Sequence, residues 1–273
     1  MTSAVERTLA VLEYLSTCPQ GVPLVAVAEA LKLPHGACHR LLADLVQGGY
    51  LRQRRGHGDY LLTTKLAALG LSYLSSSGIV DLPQPLLDQL AQESGDLVRL
   101  GIVDGDRLTF VAKAQGARYG LRYDPDMGID VRLSCSAAGH AWLATLSDER
   151  ALALIVQQGF GDPQEFGPLA PTSFHEVLAH LARARTQGFS MISDVYANGM
   201  AAMAAPIRWQ GGPTVGVVSI AGPMMRLTEA RMLALGPRLI AIAAELGTVS
   251  RASPLFDKDP PAATAAPAAT SAP

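Results

Sequence analysis

The sequence predicts an α+β chain: an N-terminal winged helix-turn-helix, a linker helix, and a larger C-terminal α/β domain built on an antiparallel sheet. Three observations predict it. Within residues 1–63, three helical patterns precede two short strand patterns that flank an arginine-bearing loop. Beyond them, alternating apolar runs flank the tight-turn signals Asp104-Gly105-Asp106 and Gly211-Gly212-Pro213, with amphipathic helices in between. At 273 residues, the chain is long enough for two domains of ordinary size, each with its own core.

Residues 4–15 place Val5, Leu9, Leu12 and Leu15 at helical spacing, with Glu6, Arg7 and Glu13 on other faces. Gly21 and Pro23 break the chain before a second apolar helix over 24–31. Leu33-Pro34 punctuates again, and Pro34 suits a first helical turn, where its missing N–H is not needed. The third helix turns Cys38, Leu41, Leu42 and Leu45 inward and keeps His35, His39, Arg40 and Asp44 on or near the outward side, ending at Gly48-Gly49. Strands over 50–53 and 59–62 are joined by Arg54-Arg55-Gly56-His57-Gly58.

In this layout the third helix can lie in a DNA major groove while the earlier helices brace it. Arg40 and the hairpin arginines Arg52, Arg54 and Arg55 supply phosphate-binding charge, and His35 and His39 can reach base edges. Net charge adds little, because six basic residues in 1–63 face five acidic ones; placement adds more, since three of the six lie in or beside one loop. The alternative is a helical cap whose third helix packs on the next domain.

The remaining elements follow in order. Residues 64–77 read as one helix, with Leu66, Leu69, Leu71 and Leu74, and supply the linker over 64–78. A helix is expected over 85–93, strands over 97–103 and 107–113, and shorter strands over 120–123 and 129–133. Helices are expected over 136–146, 148–157 and 173–186, long apolar strands over 200–209 and 214–221, and a last helix from Thr228-Glu229 to Gly247. The second domain is thus expected over 79–251, and the Ala/Pro/Thr-rich stretch 252–273 as a disordered tail.

Composition narrows the function classes. A net charge of −2 argues against a nonspecific nucleic-acid coat protein and fits a local basic surface. No run is long enough and free enough of charge to span a bilayer, and the first helix, with Glu6 and Arg7, is not a secretion signal, so no membrane partner is expected. Cys18, Cys38 and Cys135 are few and far apart, which suits a reducing cytoplasm. No metal-ligand spacing and no glycine-rich phosphate loop is present, so neither metal nor cofactor is expected. Ser134, Cys135, His140 and Asp194 invite an enzymatic reading, but no Gly-x-Ser-x-Gly elbow accompanies them, and Cys135 and His140 share one short segment. Redox sensing through Cys38 or Cys135 is the other alternative.

Ala4-Val5-Glu6-Arg7, Leu33-Pro34, His39-Arg40-Leu41-Leu42, Gly49-Tyr50, Tyr60-Leu61 and Lys65-Leu66 occur in an order that resembles the IclR family of bacterial transcription regulators. The likeness continues through Val103-Asp104-Gly105-Asp106, Ser136-Ala137-Ala138-Gly139, Gly188-Phe189, Ala204-Ala205-Pro206 and the run from Ser219 to Pro223, covering about residues 3–250. The resemblance implies a winged helix-turn-helix on operator DNA and a GAF-like effector domain that senses a small organic acid. It also implies a homodimer or dimer of dimers, while the residues themselves argue against catalysis. Gly36 and Ala37 stand where the family often has Ser and Thr, which shifts anchoring toward His39, Arg40 and the wing.

For the effector, the family positions correspond to Ser134, Cys135, Ser136, Ala137 and Ala138 on one side and Asp194, Ala202, Met203 and Ser219 on the other. A Ser-Ala-Ala-Gly helix start offers free N–H groups to a carboxylate, although Ser136 taken alone reads as an N-cap. Ala202 and Ala221 replace polar residues common in the family, while Trp142, Tyr196 and Met203 add apolar surface. The expected ligand is therefore an aromatic carboxylate, with its acid on the helix start and its ring against Met203, as in a regulator of aromatic catabolism.

Overall fold

The structure is a computed structural model that describes residues 3–54, 58–78, 81–125, 128, 130–209 and 211–249. The chain divides into two compact units at Ser76/Ser77. The expected tail over 252–273 lies outside the described residues.

In the first unit, α1 (Ala4–Ser16) starts at a capping box: Glu6 N–H donates to Ser3 Oγ at 3.1 Å, and Ser3 N–H donates to the Glu6 carboxylate at 2.6 Å. Next come α2 (Leu24–Ala30), α3 (His35–Gln47), β1 (Leu51–Gln53) and β2 (Tyr60–Leu62). The hairpin is antiparallel, with Leu51 opposite Leu62, and Val22 adds a bridge to Tyr60. Val11, Leu15, Val27, Cys38, Leu42 and Leu45 form the core over which Leu51 and Tyr60 close. The apolar period of each helix thus becomes one shared interior. In α4 (Lys65–Ser76), Lys65 Nζ accounts for an orphan carbonyl at the end of α3: it donates to Gly48 O at 2.6 Å and sits 4.5 Å over the Tyr50 ring.

The second unit contains α5 (Gln84–Ser94), β3 (Leu97–Asp104), β4 (Arg107–Gln115), α6 (Ala137–Leu143), α7 (Asp148–Gln158), α8 (Phe174–Gln187), β5 (Ser190–Ser193), β6 (Met200–Arg208), β7 (Thr214–Pro223) and α9 (Glu229–Val249). The strands form one antiparallel sheet in the order β4-β3-β7-β6-β5. Helices α5 and α9 pack together on one face, and α6, braced by α8, packs on β5, β6 and β7. Leu108, Leu133, Trp142, Leu154, Leu181 and Val217 belong to the core on the α6 side.

Several expectations change. Residues 120–123 form no strand, and among the described residues of 129–133 only Asp130 bridges, to Thr109. Side chains hold the stretch after β4 in place of a ladder: Gln115 donates to Tyr123 O at 3.0 Å, and Lys113 and Arg122 pair with Asp124. Strand β5 was not expected, because four residues directly after the α8 cap Gly188 are too few to show alternation. Helix α6 ends at Leu143 rather than 146. Contrary to the reading of the sequence, α9 is long and apolar enough by composition to cross a bilayer, with mean hydropathy 1.5. It lies on the sheet instead, with Met232, Leu239, Ile242 and Leu246 buried.

Candidate functional site

The first unit presents α3 as an amphipathic helix. Cys38, Leu42 and Leu45 are buried, His35, Gly36, His39 and Arg40 are exposed, and Ala37 is half-buried. A Cβ at Gly36 would meet no atom within 4 Å, so this part of the helix is open to an approaching backbone. Among the described residues, Arg40 has no hydrogen-bond or ion-pair partner, which leaves its guanidinium free.

The wing is more constrained than the sequence suggests. Arg52 is exposed on β1, but Arg54 Nη2 donates to Gln20 O at 2.9 Å, tying the hairpin to the turn after α1. Arg54 therefore braces the wing as well as carrying charge. Arg55 lies outside the described residues.

Arg40→Ala is expected to weaken binding to all duplexes and to lower the slope of log affinity against log salt by about 1. His35 substitutions should instead change sequence preference. Fluorescence anisotropy across a salt series checks both, and an unchanged slope would remove Arg40 from the phosphate backbone.

In the second unit, a cavity enclosing about 700 Å³, its mouth included, lies between the sheet and the start of α6. Of the expected effector residues, Ser136, Ala137, Ala138, Ala202 and Ser219 line it, together with Ala221 and Tyr196. Ser134, Cys135, Trp142, Asp194 and Met203 do not.

The reasons are local. The Ser134 carbonyl accepts from His140 Nε2 at 2.8 Å, which fixes the loop before α6. Trp142 is packed in the core. Asp194, at φ 57°, closes the turn between β5 and β6, where its carboxylate accepts from Gly199 N–H at 2.6 Å. Met203 is fully buried, but strand alternation sends it to the opposite side of the sheet from Ala202, so no ligand ring can rest on it in this cavity.

The α6 start is held by its own loop. Ser136 Oγ accepts from Gly139 N–H at 3.0 Å and donates to Arg132 O at 2.5 Å, so it serves as the N-cap. Gly139 is required there, because a Cβ would stand 2.6 Å from the Leu133 backbone. Cys135 is buried and its thiol is pushed up to about 12 by that burial. Burial likewise pulls His140 down to about 4, leaving a neutral ring stacked 4.8 Å from His180. A buried thiol pushed up this far offers little thiolate to act as a nucleophile. Burial also raises the Cys38 thiol.

Sequence reasoning missed the cavity's cation. Arg99, on β3, places its guanidinium 3.8 Å from the Phe110 ring centroid, and its Nε is shut off from solvent without a hydrogen-bond partner. Burial pushes Arg99 below its ordinary value, and the nearby Tyr123 and Tyr196 phenols act in the opposite sense. Tyr123 is itself raised by burial. Ser219, directly opposite Arg99 across the β3–β7 ladder, is also buried, and its Oγ has no partner. Arginine inside an apolar run is the signal that was available in the sequence; its neighbours were not.

Comparison with known proteins agrees with both halves of this description. The model of the IclR helix-turn-helix domain matches residues 4–55, and that of the bacterial transcriptional regulator IclR C-terminal matches 71–248. The chain is similar to the transcriptional repressor IclR of Escherichia coli, 28% identical over 241 residues that cover 88% of this chain and 87% of that protein. Its fold is similar to a transcriptional regulator from Rhodococcus, with TM-score 0.74, 26% identity, and coverage of 92% and 99% of the two chains. It is also similar to an IclR homolog from Microbacterium hydrocarbonoxydans, solved in complex with 4-hydroxybenzoate, with TM-score 0.72, 18% identity, and coverage of 92% and 100%. The chain therefore belongs to the IclR family, as a DNA-binding transcription regulator with an effector-binding C-terminal domain.

Proposed function

We propose that this regulator senses an aromatic carboxylate in the cavity of its second unit, and that the exposed face of α3 with the wing arginines Arg52, Arg54 and Arg55 reads the operator. The cavity lining carries the ligand reading. Phe110, Tyr123, Tyr196 and Met200 supply flat or polarisable apolar surface, while Ala202 and Ala221 remove hydroxyl and thiol groups that a two- or three-carbon acid would need. The 4-hydroxybenzoate in the Microbacterium hydrocarbonoxydans protein makes that compound a suitable first probe.

The working form is a homodimer or dimer of dimers. Leu9 on α1 and Leu69, Leu71 and Tyr73 on α4 are more than half exposed, leaving apolar helix faces for a second copy to cover. Ligand would then favour one arrangement of the assembly and with it one half-site spacing on DNA.

A thermal-shift screen tests the ligand class, because a ligand that binds the folded state raises its melting point by mass action. Benzoate and 4-hydroxybenzoate should raise it, by about 2.7 kcal/mol of apparent stability at 100 times the dissociation constant. Pyruvate and glyoxylate should not at the same concentration. Stabilisation by the short acids alone would refute the aromatic reading.

A further inference from the structure

On the reading that this cavity holds the effector, we infer that Arg99 and Ser219 form its anion anchor, built for one carboxylate. The pocket then selects monocarboxylates over both neutral isosteres and dicarboxylates. Among the described residues, neither side chain has a hydrogen-bond or ion-pair partner. Arg99 stands on β3 and Ser219 on β7 as direct Cα partners, and both line the cavity. Phe110 covers one side of the guanidinium at 3.8 Å and fixes its plane. Ser219 is 2% exposed, and its hydroxyl and the Arg99 Nε are both buried without partners. A buried polar group left unpaired is costly, and a buried charge more so, unless a ligand completes it.

The charges in the cavity are unequal in availability. Among the described residues, no carboxylate pairs with Arg99. Among the described residues of the lining, Asp130 is the acid, but it stands half-exposed and pairs with Arg107 at 3.3 Å. A single ligand carboxylate would meet the planar fork of Arg99 and the Ser219 hydroxyl, two kinds of donor that suit its two oxygens. Among the described lining residues, a second carboxylate would find no second cation and would face Asp130. The α6 start, where the sequence suggests the acid would sit, has its Ser136 hydroxyl committed to Gly139 and Arg132.

Calorimetry and melting of the full-length protein test this with benzoate, its neutral isostere benzamide, and terephthalate as the dianion. Wild type should bind benzoate at least about tenfold more tightly than either of the others. Arg99→Met should weaken benzoate about 10- to 100-fold, erase the preference over benzamide, and leave the ligand-free melting point unchanged or higher, because an unpaired, half-buried charge has been removed. Ser219→Ala should weaken benzoate by a few-fold to about tenfold.

Equal binding of benzoate and benzamide, benzoate affinity unaltered by Arg99→Met, or a ligand-free Arg99→Met protein that melts lower would each overturn the anchor. So would a wild-type protein that no carboxylate stabilises. If only pyruvate or glyoxylate bind, and Arg99→Met abolishes that binding, the anchor stands and the aromatic reading falls. If benzamide binds as well as benzoate, the aromatic body stands and the anchor falls.

Discussion

Leu42→Ala is expected to destabilise the N-terminal unit by about 2–5 kcal/mol and to abolish DNA binding while ligand binding survives. Leu42 is fully buried on the inner face of α3, in one cluster with Val11, Leu15, Val27 and Cys38. Removing most of its side chain forfeits the transfer energy and leaves a cavity that three short helices cannot close without moving α3. A unit of about 76 residues has only about 4–11 kcal/mol to lose. The same displacement would misplace His35, His39 and Arg40, which lie on the other face of that helix. Denaturant melts combined with DNA-binding assays and calorimetry of the effector measure each part. A loss below about 1 kcal/mol would show that α3 is not anchored through Leu42.

Asp96→Ala should cost about 3 kcal/mol and weaken the ligand without touching it. The Asp96 side chain is wholly buried between α5 and β3, and Oδ1 accepts from Arg226 Nε at 2.9 Å and Nη2 at 2.5 Å. Breaking a buried pair by deleting one member costs about 3–5 kcal/mol. Arg226 keeps 29% of its side chain exposed and can recover some hydration, which favours the lower end of that range.

The consequence for the ligand runs through the same guanidinium. Arg226 also donates to Leu121 O at 3.3 Å, in the stretch that carries Tyr123 and Pro125 to the cavity. Freed from Asp96, Arg226 would no longer hold that wall in one place. Ligand affinity should fall together with the melting point of the second unit, whereas DNA affinity without ligand should hold. A variant with wild-type ligand affinity would show that this ion pair supports the fold alone.

Much of the architecture is legible in local chemistry. Pro34, Gly48-Gly49 and the spacing of Cys38, Leu42 and Leu45 define α3 and its inward face, because a helix repeats on a period that the chain displays directly. The Asp104-Gly105-Asp106 turn announces the β3–β4 hairpin in the same way. Three of the expected effector residues, Ser136, Ala137 and Ala138, line the cavity together because they open one helix.

The failures have a different origin. In β6, the run Met200-Ala201-Ala202-Met203 is apolar at every position, since helices cover both faces of the sheet, so alternation is silent about which residues meet the cavity. Arg99 among Leu97, Val98 and Leu100 reads locally as a solvent-facing position on a strand.

By itself, then, the sequence determined most of the elements of this protein, the winged helix-turn-helix, and the face of α3 that meets solvent. Those properties depend on residues a few positions apart. The tertiary structure alone decided that the Arg99 Nε is shut off from solvent, that Ser219 stands opposite it, and that Phe110 covers its guanidinium. Sheet register joins strands remote in the chain, and the charge state and partners of a side chain depend on what that register brings beside it.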